Sequence, residues 1–286
     1  MEELRHTDIP DSVKDDIVHA LSDFTVGFLR LEGLAHGQDA SLLGSGILVA
    51  TGRTFGILTA HHVIQELPRT GRLGVLLSPT FGPHTVDVSG LTYLPIARGT
   101  KDRIGPDLGA VLLAPSIAGA IAAKKSFYNL ELRRERLLTD PPDPSEGLWF
   151  LQGFADENTS VQPDPILAGA FVKYFYSLGA IGRPQSVEQI GEHDYLTIPV
   201  SPNAPSPVPK RFGGMSGCGI WQVPLVRDKS GVIRYQTFLL SGVAFYQGPS
   251  TTTGSSLRCH GRASVYRVAY TAIATRGAPA GSLTNH

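Results

Sequence analysis

The chain has 286 residues, 42% of them hydrophobic, which is enough for a substantial core in one large or two modest domains. Its 25 basic and 25 acidic residues cancel, which argues against a nucleic-acid binder, since phosphate affinity rests on a basic footprint. Thirty-two glycines and 21 prolines fit many short strands joined by tight turns.

In chain order, residues 11–22 are expected to form a helix. Val13, Ile17, Val18 and Leu21 recur at helical spacing, and Asp11 or Ser12 is placed to cap it. Strand signals follow at 25–31, 46–50 and 54–59, with Thr51-Gly52-Arg53 as a hairpin turn. Further strands are expected at 73–77, 84–88 and 108–113. Residues 116–124 are small and apolar and give no clear reading. The charged, then proline-rich stretch 133–147 reads as a linker between two halves. The second half offers strands at 148–153, 168–177, 195–200, 217–223, 236–245 and 256–260. Residues 203–209 form a stiff proline-rich loop. Residues 263–274 suit a closing helix with Val265, Val268 and Ala272 on one face, and the last ten or so residues suit a flexible tail. The coarse picture is mostly β.

The chemistry is concentrated at Gly213-Gly214-Met215-Ser216-Gly217-Cys218-Gly219. Glycines let the backbone turn tightly and bring amide N–H groups close to a ligand. A serine held there can act as a nucleophile if a base takes its proton and amides hold the oxyanion. The base is sought in the pair His61-His62, where an apolar strand ends. The acid is sought in Asp107, at the mouth of the apolar run 108–113, with Asp102 in a charged stretch as the alternative. The remaining histidines show no metal-ligand spacing, so no metal and no cofactor is expected.

The order His, Asp, Ser distinguishes one group of triad hydrolases from the α/β-hydrolases, which place Ser first. With the segments 58–63, 107–112, 214–217 and 240–245 in that order, the chain resembles a trypsin/chymotrypsin-fold serine peptidase. It is closer to bacterial, disulfide-poor members than to secreted digestive enzymes. The resemblance spans roughly residues 25–270. It implies an all-β fold of two six-stranded antiparallel barrels with a short N-terminal and a C-terminal helix. The divisions it suggests are 1–22 (helical extension), 23–140 (first barrel), 141–275 (second barrel) and 276–286 (tail).

The family pattern assigns the base to His62 and leaves His61 in a variable place. It implies a triad of His62, Asp107 and Ser216, an oxyanion hole from the N–H groups of Gly214 and Ser216, and a substrate pocket near Lys210, Phe245, Tyr246 and Gln247. Met215 stands where many secreted relatives carry an aspartate that pairs with a newly cut N-terminus. Activation by that cleavage is therefore not expected, and packing, a partner or substrate must order the loop.

The implied function is peptide-bond hydrolysis in protein substrates through an acyl-enzyme, with a protein or peptide as substrate and an activating partner protein as an option. The competing readings are a peptidase-like binding module and a latent enzyme. The polar N-terminus, the absence of a long apolar run and the two cysteines (Cys218 and Cys259) point to a cytoplasmic protein, with neither nucleic acid nor membrane as partner.

Overall fold

The structure is a computed structural model describing residues 9–31, 40–78, 84–98, 105–163, 171–177, 180–200, 212–249 and 254–277. Helix α1 (Asp11–Ser22) forms as its spacing predicts, burying Ile17 and Leu21. Its cap differs from expectation: Pro10 takes the N-cap position with no side-chain cap bond, and its carbonyl accepts from the N–H groups of Val13 and Lys14.

The protein is mostly β. One eight-stranded sheet carries β1 (Thr25–Leu31), β2 (Ala40–Thr51), β3 (Thr54–Thr59), β4 (Arg72–Leu76), β5 (Thr85–Asp87), β6 (Leu91–Ala97), β7 (Leu108–Leu113) and β8 (Tyr128–Asn129). Its order is β5-β4-β1-β2-β3-β7-β6, with β8 pairing alongside β2. Every ladder is antiparallel except β2–β8. The β2–β3 hairpin turns at Gly52, whose φ of +55° suits a residue without a Cβ. All six residues of β7 are buried, because it lies inside the sheet between β3 and β6.

A second, seven-stranded sheet is built from β9 (Leu148–Gln152), β12 (Ala180–Ile181), β13 (Ser186–Ile190), β14 (His193–Val200), β15 (Gly219–Val223), β18 (Leu239–Gln247) and β19 (Ser255–His260). Its order is β12-β9-β15-β18-β19-β14-β13. Two further hairpins pair β10 (Phe154–Pro163) with β11 (Phe171–Ser177), and β16 (Leu225–Arg227) with β17 (Ile233–Tyr235). Among the described residues the two large sheets are open paths: no ladder joins β5 to β6 or β12 to β13.

Three segments depart from the sequence reading. Residues 116–124 lie mostly in α3 (Pro115–Ala122), opened by a proline at its first turn. The stretch read as a linker contains α4 (Arg134–Thr139), whose Leu137 is buried. The rest of that stretch is tied down: Gln222 Nε2 donates to the carbonyls of Asp143 and Glu146, Trp149 Nε1 to that of Pro144, and Arg262 to that of Pro142. The closing helix is a π-helical turn (Ser264–Ala269) running into α5 (Tyr270–Gly277). A π turn is wider than an α turn, so the buried face is Val265, Tyr266, Ala269 and Ile273 rather than the expected one.

The largest core cluster belongs to both halves. It joins Ile17 and Leu21 of α1 and Ile47 and Val49 of β2 to Phe150 and Trp221 of the second sheet, and to Tyr266. The Trp221 ring lies 5.2 Å from that of Tyr128 and 5.6 Å from that of Phe24. The sheets are thereby packed as one body, and the candidate site lies where they meet.

Candidate functional site

Strand β3 ends at Thr59, and the chain turns at once into the short helix α2 (His61–Glu66). The histidine pair is thus in the first turn of a helix, not at the end of a strand. The alternation of side chains expected of a strand does not apply. Neighbours on a helix are separated by about 100°, and the two rings still part company. His61 is buried, whereas the His62 side chain is 44% exposed. Burial holds the His61 imidazole below its ordinary pKa; the Asp107 carboxylate opposes this, and Arg98, His62 and Arg69 reinforce it.

Asp107, just before β7, reaches across to α2 with both oxygens. Oδ1 accepts from the backbone N–H of His62 at 2.9 Å, and Oδ2 meets His62 Nδ1 at 2.5 Å. The first N–H groups of a helix lack intrahelical partners, so the carboxylate satisfies one of them and orients the ring together. Burial alone would raise the Asp107 pKa. The hydrogen bonds and charge of His62 outweigh it, so the group lies below the usual carboxylate range and is ionised at neutral pH. An ionised carboxylate only accepts. Nδ1 of His62 therefore carries a proton, and in the neutral ring this tautomer leaves the lone pair on Nε2.

Ser216 lies in the turn entering β15. Met215 N–H donates to the Phe212 carbonyl, Cys218 N–H to that of Met215, and Gly217 N–H to that of Ala244. Gly214 and Gly217 have φ of +81° and +88°. Met215 and Phe212 are buried in a cluster with Cys218 and Trp149, so apolar packing orders this loop. The N–H groups of Gly214 and Ser216 make no hydrogen bond among the described residues.

Ser45 of β2 fastens this turn to the first sheet. Its N–H donates to the Ser216 carbonyl and its hydroxyl to the Gly214 carbonyl, both at 2.9 Å. The same hydroxyl accepts from Phe154 N–H, and the Ser45 carbonyl accepts from Thr59 Oγ1. A Cβ added to Gly44 would lie 2.6 Å from the Val63 side chain and 3.2 Å from the Ser216 carbonyl oxygen. The turn that bears Ser216 and the helix of His62 therefore converge over Gly44. No hydrogen bond joins the Ser216 hydroxyl to His62 among the described residues.

Of the substrate-pocket candidates, Lys210 lies outside the described residues, as do Asp102 and the loop 203–209. Phe245 is buried at 5% exposure, its ring 4.7 Å from that of His260. It packs beneath the site instead of lining an open cleft. Gln247 Oε1 accepts from Phe212 N–H, fixing the start of the Ser216 turn, and Tyr246 beside it is half-buried. Both cysteines are free and buried, and burial pushes both thiols well up.

Two residues escaped the sequence reading. Ser45 sits between Gly44 and Gly46, a glycine-flanked hydroxyl in an apolar strand that marks close backbone approach. His260 ends β19, and its Nε2 accepts from the Asp107 N–H at 3.0 Å. Among the described residues no cluster of three or more His, Cys, Asp and Glu side chains could hold a metal, and no helix is long and apolar enough to cross a membrane.

No protein-family model matches the sequence, and no curated protein matches it. Among solved structures the chain is similar to one reported under the words "Aromatic interactions drive the coupled folding and binding of the intrinsically disordered Sesbania mosaic virus VPg protein". The identity is 12% over 86% of this chain and 88% of that one, with a TM-score of 0.38. A likeness at that score carries no argument about fold or function.

Proposed function

We propose that the protein is a serine endopeptidase of the trypsin/chymotrypsin type, its two sheets corresponding to that family's pair of six-stranded barrels. The observation that carries this reading is the two-point grip of Asp107 on His62, whose helix meets the Ser216 turn over Gly44. Ser216 Oγ attacks the scissile carbonyl. His62 Nε2 takes the hydroxyl proton and passes it to the leaving amine, and Asp107 holds the tautomer and balances the imidazolium. The N–H groups of Gly214 and Ser216, unspent among the described residues, suit the oxyanion. Each such donor is worth roughly 2.7–4 kcal/mol of transition-state stabilisation. Water then releases the acyl group. Protein or peptide is the substrate class, and no cofactor takes part.

A second reading, a latent enzyme that an activating protein completes, is favoured by one observation: the Ser216 hydroxyl makes no hydrogen bond to His62 among the described residues. Peptide-library cleavage by wild type and Ser216→Ala tests the proposal. Cleavage products present with wild type and absent with the variant support it. Identical profiles overturn it.

A further inference from the structure

We propose that His260, anchored by Ser264 and Asp194, is a positioning residue that sets the Asp107 carboxylate for His62. This rests on the peptidase reading for its catalytic meaning, but its geometry stands alone.

The hydrogen bonds run in one direction. A backbone amide can only donate, so His260 Nε2, 3.0 Å from the Asp107 nitrogen, is an acceptor and carries no proton. The neutral ring then holds its proton on Nδ1, which lies 3.3 Å from Ser264 Oγ. That oxygen also accepts from the Asp194 N–H at 3.0 Å and donates to Asp194 Oδ1 at 2.8 Å. One donor and two acceptors are all a hydroxyl has, and each is used. The Asp194 carboxylate is itself pinned by the N–H groups of Ala263 and Ser264.

The ring also packs against Tyr195 (5.3 Å) and Phe245 (4.7 Å), which themselves lie 6.1 Å apart, so the three rings form one cluster. It is fully buried. Burial, with the neighbouring His193, lowers its pKa to about 3, so it stays a neutral acceptor across the working pH range. The second sheet thus reaches over to hold the residue that aims the first sheet's base. Without this acceptor, a partly buried amide loses its partner and the segment bearing Asp107 loses its anchor. A displacement of about 1 Å at a catalytic group can cost roughly 100-fold in rate.

The experiment compares His260→Phe, which keeps a ring and deletes the acceptor, with His260→Gln, whose carboxamide oxygen restores one. Ser264→Ala is the milder variant that decides if the phenylalanine protein does not fold. Two readouts are taken on folded protein: steady-state peptide hydrolysis, and the proton resonance of His62 Nδ1–H in histidine-labelled samples. The expected result is a fall in kcat of about 10- to 100-fold with KM nearly unchanged, a displaced His62 Nδ1–H resonance, and recovery of both by glutamine. Ser264→Ala should move both readouts in the same direction by less. An unmoved resonance in these variants overturns the proposal, as does equal damage by phenylalanine and glutamine. If wild type cleaves no peptide, the peptidase reading fails while the resonance still decides the role of His260.

Discussion

At the residue scale, the exposed His62 and the buried His61 are asked to do different things. His62→Ala is expected to lower kcat by roughly 10⁴- to 10⁶-fold, as loss of a triad base does. His61→Ala is expected to cost stability through the cavity it leaves, with turnover largely kept in the folded fraction. Paired kinetics and urea melts check this, and equal loss of kcat in both variants would contradict the assignment. Gly217 offers a sharper steric test. Its φ is +88°, and an added Cβ would lie 2.0 Å from Thr59 Oγ1 and 2.3 Å from the Ser45 carbonyl oxygen. Gly191, with φ of +60°, has open space there. Gly217→Ala should therefore destabilise by several kcal/mol and Gly191→Ala by only about 1 kcal/mol. Similar losses would mean that the Ser216 turn is not seated against β2 and β3. Both thiols are buried with raised pKa values, so an aromatic disulfide reagent should leave them unmodified until the protein unfolds.

At the element scale, the pH dependence of stability follows from how the strands and turns bury His61 and His260. Both pKa values are lowered in the folded protein. The unfolded chain takes up these protons near pH 6.5. Their contribution is thus complete above about 6.5 and declines as pH falls, for His260 down to about 3. Asp107, also lowered, adds stability above the ordinary carboxylate pKa that is lost as acid protonates it. Urea midpoints should drop between pH 8 and pH 5, and His260→Gln should flatten that drop. Midpoints equal at both pH values would contradict the assigned burial.

The same elements show what the sequence discloses. Helix α1 and strands β3 and β7 are legible because Val13, Ile17 and Leu21, or an unbroken run such as Leu108–Leu113, carry a periodicity that tertiary contacts need not override. Helix α2 is not legible, since six residues are too few to show a period and β3 leads straight into it. The face of the closing helix is missed because one π turn shifts the register. Asp107, His62 and Ser216 stand out through residue type and order. His260 and Ser45 do not, because their roles are backbone hydrogen bonds made across residue separations of 153 and 109.

At the scale of the whole molecule, the shared core makes the two sheets depend on each other. Trp221 of the second sheet packs on Tyr128 of the first and on Phe24, and the Tyr266 hydroxyl donates to that of Tyr128. Thermal unfolding should therefore be one cooperative transition with calorimetric and van't Hoff enthalpies in agreement. Trp221→Ala should lower stability by about 3–5 kcal/mol and still leave a single transition. Two resolved transitions would show that the halves fold independently. This unity bears on the proposed activity, since His62 and Asp107 belong to the first sheet's half and the Ser216 turn to the second.

The central claim is that Ser216 is an activated nucleophile. The direct test is labelling by a fluorophosphonate probe, with the modified residue mapped by mass spectrometry. The account predicts near-stoichiometric modification at Ser216 in wild type, and loss of it in His62→Ala and Ser216→Ala. Modification elsewhere, or labelling of Ser216 that survives removal of His62, would contradict it.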